Sequence, residues 1–307
     1  MRIVVALGGN ALLHRGEHPD AAVQQNNIDR VTTALAALAQ EHELVITHGN
    51  GPQIGLLAME SESDPALSAP YPLDLLGAQT QGMIGSLLAR SLQHALPKRR
   101  IAALVTHTLV RADDPAFMRP TKFVGQVYSQ DLAEDLAHRH GWRIGRDTGG
   151  WRRVVPSPEP ERVLETVTID ELLGGGTLVI CAGGGGVPVT AHPETGFLDG
   201  VEAVIDKDLT AALLAEDLKA DFLLILTDVP CVYEHYGTPG QRPVSGATPG
   251  GLRRGGFPDG SMGPKTEAVA RFVERTGGLA AIGALDAAYE IVQGRSGTLV
   301  RPAPMVG

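Results

Sequence analysis

Cysteine is close to absent from this chain. Two thiols, Cys181 and Cys231, in 307 residues make no disulfide framework. Each lies in or beside an apolar run, as buried thiols in a reducing compartment do. The ten histidines are scattered, with no HExxH pair and no paired-cysteine motif, so no structural zinc is expected. No apolar run is long enough to cross a bilayer. The first residues already read as a strand, so no signal peptide is expected and the chain is placed in the cytoplasm. A basic face is missing as well. The chain carries 26 basic and 35 acidic residues, a net charge of −9, which argues against nonspecific nucleic-acid binding and leaves room for a locally basic pocket.

Lysine is the most informative shortage. Of the 26 basic residues only five are lysine: Lys98, Lys122, Lys207, Lys219 and Lys265. Arginine supplies the general surface charge, so a lysine here marks a need for a compact, mobile point charge. Lys98 and Lys219 read as surface residues. Lys122, Lys207 and Lys265 sit in turn-rich or junction contexts.

What the chain does contain is an α/β rhythm, long enough for one large domain or two lobes. Ile3 to Leu7 is an unbroken apolar run, suited to a strand buried on both faces. It ends in Gly8-Gly9-Asn10, where two missing side chains let an anion approach the main chain. Ile28, Val31, Leu35 and Leu38 recur at helical spacing, which predicts a helix over 21–41. A strand over 43–47 then ends in Gly49-Asn50-Gly51, before a helix from residue 53. Strand, Gly-Asn turn and helix thus occur twice, and both turns can frame one anion. Gly49-x-Gly51-x-x-x-Gly55 misses the dinucleotide spacing by one position. A helix over 73–92 carries a stripe of small residues, read as a close helix contact, and a strand follows over 101–106.

Between 107 and 156 the rhythm breaks, which predicts an inserted subdomain with a helix over 129–140. The second half resumes with a strand over 177–182 ending in Gly183 to Gly186, a run too costly in a core to be without a purpose. Asp206-Lys207-Asp208 leads into a helix over 209–218. A strand over 221–227 ends in Asp228. A Gly/Pro-rich stretch runs from 237 to 263, and Gly260-Ser-Met-Gly-Pro-Lys265 opens a helix over 266–276. That motif fails the Walker A pattern because Pro264 separates Gly263 from Lys265. It still presents a lysine at a helix N-terminus, where a phosphate is favoured. Strands over 279–283 and 297–301 close the chain.

These segments together resemble the carbamate kinases of the amino acid kinase family, over nearly the whole length. The resemblance rests on Ala6-Leu-Gly-Gly-Asn-Ala-Leu12, His48-Gly-Asn-Gly-Pro-Gln53, Pro120-Thr-Lys122, Trp151-Arg-Arg-Val-Val-Pro-Ser-Pro158, Ala203-Val-Ile-Asp-Lys-Asp208 and the Lys265 motif. It implies a three-layer αβα sandwich around an open, mainly parallel sheet, with a small protruding inserted subdomain at about 107–156. An N-terminal lobe, 1–156, would take carbamate or carbamoyl phosphate, and a C-terminal lobe, 157–307, would take ATP or ADP with Mg²⁺ carried by the nucleotide. A homodimer and a role in arginine fermentation are implied too. Lys122, Lys207, Asp208 and Lys265 would act at the phosphoryl group. Gly8, Gly9, Asn10, Gly49, Asn50 and Gly51 would cradle the carbamoyl side. Gly183, Gly184, Asp206, Thr227, Asp228, Tyr233, Met262 and Gly263, with Lys265, would meet the nucleotide.

The departures are small. Thr148-Gly149-Gly150 is shorter than the usual turn, and Pro230-Cys231 follows the Leu-Thr-Asp strand end. Relatives carry a lysine on the first strand ahead of the glycines. Here that neighbourhood is Val-Ala-Leu, and Lys122 is the expected substitute. The alternatives are another small-acid kinase of this fold, such as one acting on acetylglutamate, and a catalytically silent binder or regulator.

Overall fold

A computed structural model describes residues 1–9, 12–14, 16–258 and 262–303. The chain opens with β1 (Arg2–Leu7), α1 (Ala21–Glu41), β2 (Glu43–His48), α2 (Gly51–Ser63), α3 (Leu73–Ala95) and β3 (Arg100–Ala103). Then come β4 (His107–Leu109), β5 (Lys122–Tyr128), α4 (Gln130–His140), β6 (Arg143–Asp147), β7 (Gly150–Val155), β8 (Arg162–Val163) and α5 (Thr166–Gly174). The next elements are β9 (Thr177–Ile180), β10 (Val187–Ala191), β11 (Leu198–Gly200), α6 (Lys207–Asp217) and β12 (Phe222–Thr227). The chain closes with β13 (Val232–Glu234), β14 (Arg242–Val244), β15 (Gly246–Ala247), α7 (Pro249–Arg254), α8 (Met262–Thr276), β16 (Leu279–Ala284), α9 (Ala288–Val292) and β17 (Thr298–Val300).

Among the described residues the main sheet has eight strands in the order β15-β17-β16-β12-β1-β2-β9-β3. From β16 to β3 every pairing is parallel. β17 runs antiparallel to β16 and parallel to β15. The apolar run of β1 divides between two cores, as the side-chain alternation of a strand requires. Ile3, Val5 and Leu7 pack with Ile28, Val31 and Leu35 of α1 and Ile84 and Leu88 of α3. Val4 and Ala6 pack with Ala211 and Leu214 of α6 and Val269 and Phe272 of α8. Full burial of each large aliphatic side chain contributes roughly 1.5–3 kcal/mol. Helices therefore cover both faces, and the expected αβα sandwich with a mostly parallel sheet is what the chain forms.

From β1 the chain moves to β2 on one side, and it later places β12 on the other. The order thus reverses between β1 and β12, and at such a point the carboxyl ends of parallel strands leave a crevice for a ligand.

Three features depart from the sequence reading. β4, at the start of the segment expected as an insertion, pairs with β10 and β8 in a separate sheet of order β11-β10-β4-β8. The protruding part is β5, β7 and β6 in a three-stranded sheet with α4. It is seated on α2 and α3 by Val124 and Val155 against Ile54, Leu73 and Leu76. Second, residue 156 does not cut the sheet into halves, because β9 lies between β2 and β3. Third, α6 starts at Lys207 rather than at 209. Asp206 is its cap, accepting from Asp208 N at 2.9 Å and Leu209 N at 3.4 Å, so Asp-Lys-Asp belongs to the helix start itself.

The glycine run after β9 is held by shape. Gly185 has φ +92°, and a Cβ there would lie 2.7 Å from the carbonyl oxygen of Ile205. Gly185→Ala is expected to destabilise the protein by about 2 kcal/mol or more. A urea titration should show a lower midpoint, and an unchanged midpoint would contradict this account of the turn.

Candidate functional site

Four adjacent strands, β12, β1, β2 and β9, end at one edge of the sheet, and their turns make the floor of the crevice. Gly8 N donates to Leu226 O and Gly49 N to Leu7 O, each at 2.9 Å, so the turns leave the sheet in register. The turns after β1 and β2 touch main chain to main chain. A Cβ on Gly49 would stand 2.7 Å from Gly9 N and 2.8 Å from Gly9 Cα. Only glycine allows this approach, and it brings two sets of backbone N–H groups together. Asn10, expected in the same cradle, lies outside the described residues, as do Gly260 and Ser261.

Asn50 precedes α2 and is buried. Its Nδ2 donates to Thr80 Oγ1 at 2.9 Å, and that hydroxyl donates to Gly77 O at 2.7 Å. The Asn50 amide is thus tied to α3 and does not cap α2. The first backbone N–H groups of α2 are left for a ligand, in the position that favours an anion.

Gly183 and Gly184 were expected at the nucleotide. The structure places them on the other side of β1 from β12, buried under the β2 turn. A Cβ on Gly183 would collide with the His48 ring, and one on Gly184 with the Asn50 amide. They shape the floor beneath the β2 turn. Behind them Thr108 Oγ1 and Thr210 Oγ1 donate to Gly185 O at 2.8 and 3.1 Å.

His48 was not singled out from the sequence as a site residue, although it stood in a quoted motif. It is 1% exposed, and Nδ1 lies 3.0 Å from Gly49 O. Burial pushes the imidazole pKa down to about 4; the Gly49 carbonyl opposes this and the charge of Lys207 adds to it. At neutral pH the ring is therefore uncharged. Since Gly49 O can only accept, Nδ1 carries the proton and His48 fixes the carbonyl of the turn.

Above this floor stands the charged cluster. Asp208, in the first turn of α6, has a side chain 3% exposed. One carboxylate oxygen accepts from Lys207 Nζ, and the other accepts from Lys265 Nζ at 3.1 Å. Lys265 comes from the first turn of α8, where Pro264 is tolerated because its missing N–H would have no intrahelical partner. Lys122 reaches from β5 and donates to Asp206 Oδ2 at 2.8 Å. The three lysines marked by scarcity are thus gathered at two neighbouring carboxylates. Burial alone would raise the Asp208 pKa, but the two ammonium groups override it and hold the carboxyl well below the ordinary range. For Lys207 burial wins and the pKa falls. For Lys265, less deeply buried, Asp208 wins and the pKa rises.

The remaining expected residues spread along the β12 side. Thr227 Oγ1 donates to Asp228 Oδ1 at 3.1 Å, and the charge of the exposed Asp228 also acts on Lys265. Tyr233 lies on the β13–β14 hairpin, its ring centroid 6.0 Å from that of Tyr236. Gly263 N donates to Pro258 O at 2.9 Å, and Met262 packs on the core beneath α8. The site as a whole offers backbone donors on one side and carboxylate-tethered cations on the other. That suits an anionic group transferred across the gap between them.

Comparison with known proteins shows the family. The model of the amino acid kinase family matches residues 1–282. The chain is 48% identical over 302 residues to the carbamate kinase of Rhizobium meliloti (strain 1021), covering 98% of this chain and 93% of that protein. It is 49% identical over 298 residues to the carbamate kinase of Escherichia coli (strain K12), covering 97% and 98%. The solved structure of carbamate kinase from Giardia lamblia bound to AMP-PNP aligns with a TM-score of 0.91 at 35% identity, over 98% of each chain.

The buried, neutral His48 has a consequence for stability. Its folded pKa of about 4 lies below the unfolded value of about 6.5, so between these pH values the unfolded chain binds more protons. Stability should fall by up to ~3 kcal/mol as pH drops from about 6.5 to about 4, and this contribution is constant above that window. Denaturant titrations across the window on wild type and His48→Gln test it. The variant should lack this component, and equal pH slopes in the two proteins would contradict the assignment.

Proposed function

The chain belongs to the amino acid kinase family and is a phosphotransferase, and we propose that it catalyses the carbamate kinase reaction, ATP + carbamate ⇌ ADP + carbamoyl phosphate. The observation that carries the proposal is the pairing of Lys207 and Lys265 on the single buried carboxylate of Asp208, above two glycine turns that meet main chain to main chain.

The chemistry asks for little more. Carbamate is an anion at neutral pH, so no general base is required. The transferring phosphoryl group needs alignment and charge neutralisation. In this reading the carbamoyl side is held by the N–H groups of Gly9, Asn50 and Gly51, since those of Gly8 and Gly49 already donate to the sheet. Lys207 and Lys265 neutralise the group in flight, and Asp208 keeps both ammonium groups aimed. Lys122 supplies a third positive charge from the insertion when it leaves Asp206, in place of the lysine that β1 lacks. Arginine would serve poorly, since a broad planar guanidinium follows a moving phosphoryl group less well. The nucleotide lies along β12, the β13–β14 hairpin and the start of α8, near Thr227, Asp228, Tyr233, Met262 and Gly263. The acceptor half then includes β9 and β10 with the first three strands, rather than ending at residue 156.

Mg²⁺ belongs in this reading as an ion that arrives on the nucleotide phosphates and shields their charge. No group of three His, Cys, Asp or Glu among the described residues is placed to hold a metal. Asp208 is committed to two lysines and Asp206 to Lys122. A homodimer is proposed at the β3 edge. This strand ends the main sheet and packs with α3, and Val105 just after it and Leu75 and Met83 of α3 are exposed hydrophobic residues. A cytoplasmic location fits the free thiols of Cys181 and Cys231. No helix among the described residues is long and apolar enough to cross a membrane. A place in arginine fermentation, with net flow toward ATP, completes the proposal.

ATP formation from carbamoyl phosphate and ADP tests the reading, with acetyl phosphate and acetylglutamyl phosphate as controls. Carbamoyl phosphate should be the preferred donor, and Lys265→Ala should turn over roughly a hundredfold more slowly or worse while remaining folded. Preference for acetylglutamyl phosphate, or near-normal turnover by the variant, would overturn it.

A further inference from the structure

The insertion that carries Lys122 does not rest on α2 through side chains alone. Ile54 of α2 packs against Val124 of β5 in a small apolar cluster. Next to that contact the two elements meet backbone to backbone. A Cβ built on Gly55 would stand 3.2 Å from Gly125 Cα, 3.4 Å from Gly125 N and 3.8 Å from its carbonyl carbon. Gly125 has φ +79°, and the pairing of β5 with β7 shifts register between Val124 and Tyr128. The strand therefore bends at the point where it touches the helix. α2 also starts at the Gly49–Gly51 turn, one helical turn before Gly55. A single rigid element thus links the proposed acceptor cradle to the strand that bears Lys122.

From this geometry we infer that Gly55 is a positioning residue for Lys122, setting how closely β5 approaches α2 and so where the lysine stands over the site. The inference rests on the carbamate kinase reading above. Any side chain at position 55 meets main-chain atoms, with no flexible group to yield, so β5 must move away by a few tenths of an ångström. Lys122 lies three residues from Gly125 and is paired in register with Val155. β5 pairs with β7 from Lys122 to Val124, directly before Gly125, so the displacement passes along this short paired segment to Lys122 and its 2.8 Å contact with Asp206. A misplacement of about 1 Å costs aligned transfer on the order of a hundredfold. A shift of a few tenths should therefore cost about three- to tenfold.

The test is a cycle of Gly55→Ala, Lys122→Ala and the double variant in the full-length protein, assayed for ATP formation from carbamoyl phosphate and ADP and also melted. Gly55→Ala should lower kcat by about three- to tenfold with KM for ADP unchanged. It should melt within a few degrees of wild type, because the helix preference of alanine over glycine opposes the crowding against Gly125. In the Lys122→Ala background it should have no further effect on kcat. An active wild type with unchanged kcat in Gly55→Ala overturns this inference alone, as does an equal fold-loss in both backgrounds. A wild type that makes no ATP from carbamoyl phosphate overturns the functional reading, and this inference with it.

Discussion

One carboxylate between two ammonium groups sets the terms for the rest of the molecule. Asp208 is almost wholly buried and holds Lys207 from its own helix and Lys265 from α8. Charges taken out of water cost several kcal/mol each, and only close pairing offsets this. α6 and α8 must therefore pack side by side on one face of the sheet with their N-termini at the same end. Both helices contribute to the core on that face, through Ala211, Leu214, Val269 and Phe272. The electrostatics fix the ends of the helices, and the apolar contacts fix their sides. Asp206 extends the cluster by doing two jobs, capping α6 and holding Lys122 of the insertion.

The other half of the site is built by the absence of side chains. Gly49 lets its turn touch Gly9, and Gly183 and Gly184 let the turn after β9 press on His48 and Asn50. The crowding converts a flexible sequence into a rigid floor. His48 is kept neutral by burial and steadies the Gly49 carbonyl, while Thr80 anchors Asn50. A rigid array of main-chain donors facing tethered cations stabilises charge in flight without reorganising at the moment of transfer.

Much of this was legible in the residues. The unbroken apolar run of β1 requires burial on both faces, and it is shared between two cores. The scarcity of lysine singled out Lys122, Lys207 and Lys265, and these three meet at Asp206 and Asp208. The repeated Gly-Asn turn after β1 and β2 anticipated their contact. Other features have no local signature. β4 and β8 are only three and two residues long, too short for a periodicity, and their partners are set by distant strands. Nothing in Leu-Val-Ile-Cys says that β9 enters between β2 and β3. For the same reason Gly183 and Gly184 could be read as a functional turn but not assigned to a side of the crevice. The burial of His48 is likewise a property of the packed turns around it.

The account turns on Asp208 holding two lysines for transfer, and the steady-state turnover of Asp208→Asn with carbamoyl phosphate and ADP tests it most directly. The amide keeps the shape and removes the charge that aims both ammonium groups. Turnover is predicted to fall by roughly a hundredfold or more in a protein that still folds. Turnover within about threefold of wild type, in a folded variant, would contradict the account, because loss of a charge-positioning group should cost far more.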